Sequence, residues 1–434
     1  MHHVNKIELN RIVIAVAGMG TVGSGVAELL DANQDWIRRR SGKEIVLKTV
    51  LELPSNHGHR PGTTKNAHFT LDIREVVEDP EINVFVELVG GTTFALDYIR
   101  AALKAGKHVV TANKKLLAEH GTELFSLAMT KKLHLGFEAS VAGGIPLLTT
   151  IKESLAANRT KAVIGILNGT ANFILTEMTT RKMKFDQALQ LAQKKGLAEA
   201  DPTLDVDGWD VAHKLILLIK LAFGRDYSLA QLKVTGIRTI MPMDISYARD
   251  FGYRIKLLAM AREVEGHIEA GVFPALIPEH CLLASVDGSF NAVRLDGNAG
   301  SIMIYGHGAG ALPTASAVLA DIIAIGMNRP INNIGFVDGE LLKTTILDLD
   351  TAISRHYVRV MVPDRPGVLR DIGGIMAKHN ISLAQVVQKG KNKGMGVPIV
   401  FLTHKAMASD VHAAIADIDV MVLNLAKTIH YRIL

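Results

Sequence analysis

Residues 11–30, RIVIAVAGMGTVGSGVAELL, decide the fold class of this chain. The run 11–17 has the length and β-branched content of a buried parallel strand, and a helical pattern over 25–30 follows a glycine-rich turn. Within the turn, Gly18, Gly20 and Gly23 fall at the spacing Gly-x-Gly-x-x-Gly. The first glycine permits a tight turn, the second lets the backbone approach a pyrophosphate, and the third allows a helix to pack closely on a strand. Alone, that spacing is common. Placed between a strand and a helix it predicts a bound dinucleotide with its pyrophosphate at the helix N-terminus.

Working outward, β-type runs recur at 46–53, 84–89 and 108–111, separated by helical patterns such as 95–105 and 116–131. This alternation predicts a parallel, Rossmann-type sheet over residues 1–145. Beyond it the pattern becomes α+β, with a strand-like 162–167 and helices over 185–196 and 210–223. A second glycine-rich stretch, 306–310, leads into a helix over 315–326, so the first domain is expected to be completed by about 300–345. Residues 146–300 then form a second, α+β domain, and 346–355 read as a linker. From 356 to 434 the order is strand 357–362, helix 368–379, strand 382–388, strand 398–403, helix 409–418 and a last strand, a βαββαβ, ferredoxin-like module.

A chain of 434 residues with 48% hydrophobic content exceeds one ordinary domain and is rich enough for packed cores. The net charge of +5 is interspersed, and its longest basic run, Arg38-Arg39-Arg40, reads as a solvated helix end, so no nucleic-acid partner is expected. One cysteine, Cys281, excludes an intramolecular disulfide and multi-cysteine metal sites, which fits a reducing, cytoplasmic setting. Its neighbours Leu282 and Leu283 suggest a buried thiol, and Met376 reads as core filling. No window is apolar for the length of a membrane span, and the first ten residues lack the apolar core of a signal peptide.

Several residues carry chemistry. Glu52, at the end of the second strand, is placed to accept hydrogen bonds from an unphosphorylated ribose, which favours NAD, while Arg60 and residues 57–59 nearby could meet a 2′-phosphate and keep NADP open. Lys114 and Lys115 follow a strand at the carboxyl edge where ligands of parallel sheets sit, as solvated charges or as anchors for a carboxylate or carbonyl. The segment 196–214, GLAEADPTLDVDGWDVAHK, is rich in acids for one entering an apolar helix. Asp210 and Lys214 are spaced i, i+4 and share a face. The plain alternative is Asp207 as a helix cap and a surface ion pair of little consequence.

Taken together, the glycine turn, VTANK at 110–114, FEASVAGGIP at 137–146, LNGTAN at 167–172, the 196–214 segment and GAGALPTA at 308–315 resemble homoserine dehydrogenases, in order and over nearly the whole chain. The resemblance implies interconversion of L-homoserine and L-aspartate 4-semialdehyde with NAD or NADP, a step toward threonine, methionine and isoleucine. It places Lys114 and Lys214 in the catalytic centre, with Lys214 as proton donor to the carbonyl oxygen and Asp210 orienting it. It assigns Glu199, Asp205, Asp210, Thr170 and Gly169 to the substrate, with Glu199 suited to the α-ammonium group. Gly18, Met19, Gly20, Thr21, Val22, Gly23, Thr92, Lys114 and Gly310 would line the cofactor. A structural monovalent cation, sodium, would sit on the Glu138 carboxylate and the carbonyls of Val141, Gly143 and Ile145, whose oxygen-only ligation suits a hard ion.

This chain departs from the family where proline is common, at Phe94 and His307, and it lacks the arginine that favours NADP at the end of strand two. Residues 356–434 resemble an ACT domain through DRPGVL at 364–369 and NISL at 380–383. This implies an amino-acid effector, L-threonine, or else a module that only dimerises. A homodimer or homotetramer follows from the same resemblance, which also makes residues 146–300 the substrate-binding and dimerisation domain. Two other readings use the same scaffold: a dehydrogenase of another semialdehyde or hydroxy acid, and a dinucleotide sensor without turnover.

Overall fold

The computed structural model describes residues 10–52, 62–336, 341–343, 347–389 and 396–434. The chain forms two compact units, one of residues 1–163, 210–231 and 290–344, the other of 164–209, 232–289 and 345–434.

In the first unit, β1 (Arg11–Ala17), β2 (Glu44–Leu51), β3 (His68–Thr70), β4 (Val84–Glu87), β5 (His108–Thr111) and β6 (Leu135–Gly136) form one parallel sheet in the order β3-β2-β1-β4-β5-β6. The strand order reverses between β1 and β4, which opens a crevice at their carboxyl ends where open α/β sheets bind ligands. β1 and β4 are almost wholly buried, which is why they read as apolar runs without alternation. Helices α1 (Thr21–Ser41), α2 (Phe94–Lys104) and α3 (Lys114–Thr130) provide the crossovers. One face of the sheet is covered by α1 and by the distant helix Ala311–Gly326, whose Ala315, Val318 and Ile322 enter the core formed by Ile14, Val26, Leu30 and Val86. α1 ends at the three arginines, which are exposed.

In the second unit, the strands Tyr253–Val264 and His267–Pro278 form a long antiparallel hairpin closed by Glu265 and Gly266, both at positive φ. The sequence gives little sign of it, because its apolar residues run on without alternation where both faces are buried. The βαββαβ module lies beside this hairpin, with its strands in the order Ala426–Ile433, Ile353–Val362, Val397–Thr403, Leu383–Gln388. Its own core includes Val358, Val360, Ile372, Met376, Phe401 and Val411. The last strand also pairs with the hairpin, Ala275 opposite Arg432 and Leu276 opposite Ile433. Residues 349–351 form a 3-10 turn, and Leu349 packs over Gly271.

Cys281 is half-buried rather than buried: it starts a 3-10 turn that sends Leu282 outward, 69% exposed, and Leu283 and Ala284 inward.

Candidate active site

The glycine turn is built as its spacing requires. Gly18 has φ +92°, and a Cβ there would stand 2.8 Å from the Leu88 carbonyl. A Cβ on Gly23 would stand 2.1 Å from the Gly18 oxygen, so the third glycine lets the helix start against the turn. Gly20, at the N-terminus of the 21-residue α1, faces open space. An open backbone at a helix N-terminus with no acid in its first turn fits a pyrophosphate. Ser24 Oγ donates to the Met19 carbonyl at 2.8 Å, which steadies the turn before Thr21 and Val22.

Glu52 accepts a hydrogen bond from the Met19 amide, which brings the second-strand acid to the glycine turn. Residues 57–60, the alternative for a 2′-phosphate, lie outside the described residues.

At the ends of β4 and β5, buried Glu87 accepts from Thr111 Oγ1 at 2.6 Å and from the Gly90 amide at 2.9 Å. Asn113 caps α3 through the Leu116 amide and donates to the Gly91 carbonyl at 2.7 Å. This network fixes the loop carrying Thr92 beside the start of α3. Sequence reasoning missed Glu87; its signal was a lone acid ending an apolar strand. Phe94 is exposed at the start of α2, and His307 lies against Phe290 with ring centroids 4.5 Å apart.

Lys114 opens α3, and Asp210 and Lys214 lie one turn apart on the helix Trp209–Phe223. Asp210 Oδ2 receives Lys214 Nζ at 2.7 Å, and Oδ1 stands 3.1 Å from Lys114 Nζ. Asp210 and Lys214 are each 8% exposed, so this is no surface ion pair. One buried carboxylate between two ammonium groups leaves a positive charge for an electron-rich oxygen. Lys115 is exposed, which separates two lysines that position at the strand end left equivalent. His213, unremarked in the sequence, is buried on the same helix, and burial holds its pKa below the ordinary histidine value, with Asp210 opposing. Asp207 does not cap this helix; its carboxylate pairs with Arg238.

The second unit holds the residues expected to bind the substrate, Asp210 aside. Asn168 caps the helix Gly169–Arg181 through the Ala171 amide and donates to Asp205 Oδ1 at 2.7 Å. Thr170 Oγ1 donates to the Leu197 carbonyl, and a Cβ on Gly169 would stand 2.7 Å from the Ser289 oxygen. Thus Asp205, Gly169 and Thr170 are gathered at one helix N-terminus. Glu199 is exposed on the following loop, where its carbonyl accepts from Gln193 Nε2.

Glu138 is 3% exposed; its Oε1 accepts from the Leu148 amide at 2.8 Å, and its Oε2 from the amide and hydroxyl of Thr149 at 2.7 and 2.6 Å. The chain then turns through Ala142 and Gly143, both at positive φ, and a Cβ on Gly143 would stand 2.6 Å from the Gly308 carbonyl. Gly310, at φ +122°, ends that second glycine segment as the cap residue of the Ala311–Gly326 helix. Among the described residues no three His, Cys, Asp or Glu side chains group to hold a metal. A cation at Glu138 would share a carboxylate that already accepts three protein donors and would take backbone carbonyls as its other ligands.

Residues 18–138 match the family model for the NAD-binding domain of homoserine dehydrogenase, residues 146–323 the model for homoserine dehydrogenase, and residues 356–420 the ACT domain. The chain is 42% identical over 415 residues to a homoserine dehydrogenase of Neisseria gonorrhoeae, covering 94% of this chain and 95% of that one. It is 40% identical over 418 residues to that of Pseudomonas aeruginosa, covering 94% and 96%. Among solved structures, a homoserine dehydrogenase from Thiobacillus denitrificans superposes with a TM-score of 0.91 at 40% identity over 98% of both chains. A hyperthermophilic archaeal homoserine dehydrogenase in complex with NADPH has a TM-score of 0.63 at 25% identity, covering 75% of this chain and 99% of that one.

Proposed function

Because this chain belongs to the homoserine dehydrogenase family of NAD(P)-linked oxidoreductases, we propose that it reversibly converts L-homoserine and oxidised cofactor into L-aspartate 4-semialdehyde, reduced cofactor and a proton. The observation that carries this reading is the Lys114–Asp210–Lys214 cluster. The nicotinamide, when bound, takes or gives the hydride. In reduction, Lys214 gives a proton to the carbonyl oxygen as charge develops there, and Asp210 keeps its ammonium in position. Lys114 holds the other oxygen of Asp210 and adds positive charge. In oxidation Lys214 takes the hydroxyl proton, and because a proton is released, alkaline pH draws the reaction forward.

Glu199 is assigned to the substrate's α-ammonium, and Asp205, Asp210, Gly169 and Thr170 to its remaining polar contacts. Gly18 to Gly23, Glu52, Thr92, Lys114 and Gly310 are assigned to the cofactor. A sodium ion on Glu138 and the carbonyls of Val141, Gly143 and Ile145 would order that loop and do no chemistry. The proposed domain limits are cofactor binding to residue 145 with a contribution from about 300–345, substrate binding over 146–300, and an ACT module from 356; the matched ranges 18–138, 146–323 and 356–420 support the order of these parts.

The ACT match supports an amino-acid effector, and the reading carried forward is feedback inhibition by L-threonine at the head of threonine, methionine and isoleucine synthesis. No described helix is long and apolar enough to cross a membrane, and a single thiol suits the cytoplasm. A homodimer or homotetramer is assigned from the family and is checked by light scattering. The test of function is absorbance of reduced cofactor at alkaline pH with L-homoserine, in parallel with NAD and NADP, with and without L-threonine. Absence of turnover from folded protein with either cofactor would reject the proposal.

A further inference from the structure

In the second unit, the C-terminal module and the long hairpin line a cavity of about 270 Å³ that opens to solvent. Met260, Phe273 and Ile433 give it apolar wall, while Arg262, Arg355, Lys405 and Arg432 bring four positive side chains to its lining. Glu269 is the acidic side chain there; it is 2% exposed and already serves two guanidinium groups, Arg262 at 2.7 Å and Arg432 at 3.2 Å. Arg355 donates to the Tyr253 hydroxyl at 3.0 Å, and neither it nor Lys405 has an ion-pair partner among the described residues. The lining thus carries more cation than carboxylate in partly desolvated surroundings. Burial, only partly offset by Glu269, holds Arg432 below its ordinary pKa.

We propose that this cavity binds a compact dianion, with the chemistry of a short dicarboxylate or a phosphate. Its volume falls just below the roughly 300 Å³ at which drug-sized ligand pockets begin, which suits a ligand of few heavy atoms. A zwitterionic amino acid has no net charge and leaves the excess uncompensated. The location gives the ligand a consequence. Arg432 and Ile433 are the residues through which the last strand pairs with the hairpin, and Arg355 lies opposite Ile433 on the neighbouring strand. A dianion spanning these cations therefore fastens the pairing of the last strand with the hairpin, and it stabilises the fold by mass action.

The test is thermal unfolding of the full chain with saturating reduced cofactor, so that the glycine turn is occupied. Inorganic phosphate and succinate are titrated separately, with sodium chloride holding ionic strength constant. The expected result is a saturable rise in Tm of about 2 °C at ten times Kd for at least one dianion. The more potent of the two identifies phosphate or carboxylate as the ligand chemistry. In Arg355→Gln/Lys405→Gln the rise falls to the chloride level, while turnover without added dianion is unchanged. Lys405→Gln alone, at an exposed position, weakens the response at least threefold and serves if the double variant unfolds. An equal rise in wild type and variants, or none beyond chloride, would overturn the proposal. So would L-threonine acting through the same two residues while both dianions fail.

Discussion

The ammonium of Lys114 stands 3.1 Å from the carboxylate of Asp210, and this contact joins the start of α3 to a helix formed far downstream in the chain. Asp210 holds Lys214 with its other oxygen, so a buried pair on one helix is joined by a half-buried lysine from far upstream.

Lys214→Ala is expected to lower kcat by ~10²–10⁴-fold, the usual range for a lost general acid or base, while the cofactor Kd changes little. Lys114→Gln is expected to lower kcat as well. Lys115→Gln, at an exposed neighbour, leaves kinetics within twofold. Steady-state kinetics with cofactor titration separate these outcomes, and equal losses at positions 114 and 115 would reject the assignment of Lys114.

The glycine turn separates binding from folding. Gly20→Ala places a methyl in open space, so Tm should hold while cofactor Kd rises about tenfold or more as the methyl crowds the pyrophosphate. Gly23→Ala drives a Cβ into the Gly18 carbonyl and should lower Tm as well. Calorimetry and fluorescence titration of both variants check this; a Gly20→Ala protein with unchanged Kd would place the pyrophosphate elsewhere.

His356 Nδ1 and His430 Nε2 lie 2.8 Å apart, which requires one of them to accept. Burial, first of all, holds His356 down to about 4 and His430 well below the ordinary value; His412 and Arg432 add positive charge nearby. The unfolded chain therefore binds more protons as pH falls below about 6.5, and the stability these histidines favour at neutral pH is lost between about 6.5 and 4. His430→Gln should flatten that part of the Tm–pH curve. An unaltered slope would assign the acid sensitivity to other groups.

Arg359 and Asp244 form a two-bond ion pair, 2.6 and 3.1 Å, at 2% and 0% exposure, and Tyr357 donates to the same carboxylate at 2.9 Å. Removing one partner leaves a buried charge, so Arg359→Met is expected to cost ~3–5 kcal/mol. Asp244→Leu/Arg359→Met should recover much of the loss, as measured by denaturant unfolding. Additive losses would show that the pair is not coupled.

Much of this architecture was legible in the sequence. β1, the glycine turn and α1 are written locally, because strand burial, glycine geometry and helix periodicity act over a few residues; the same holds for the βαββαβ order. The i, i+4 relation of Asp210 and Lys214 was equally readable. The contact of Lys114 with Asp210, the burial that separates this cluster from a surface ion pair, the exposure of Lys115, the donors filling Glu138, and the pairing of Arg432 with Ala275 were decided only by the tertiary structure. They depend on segments distant in the chain meeting in space, and desolvation, which gives a charge its chemical weight, exists only once they have met.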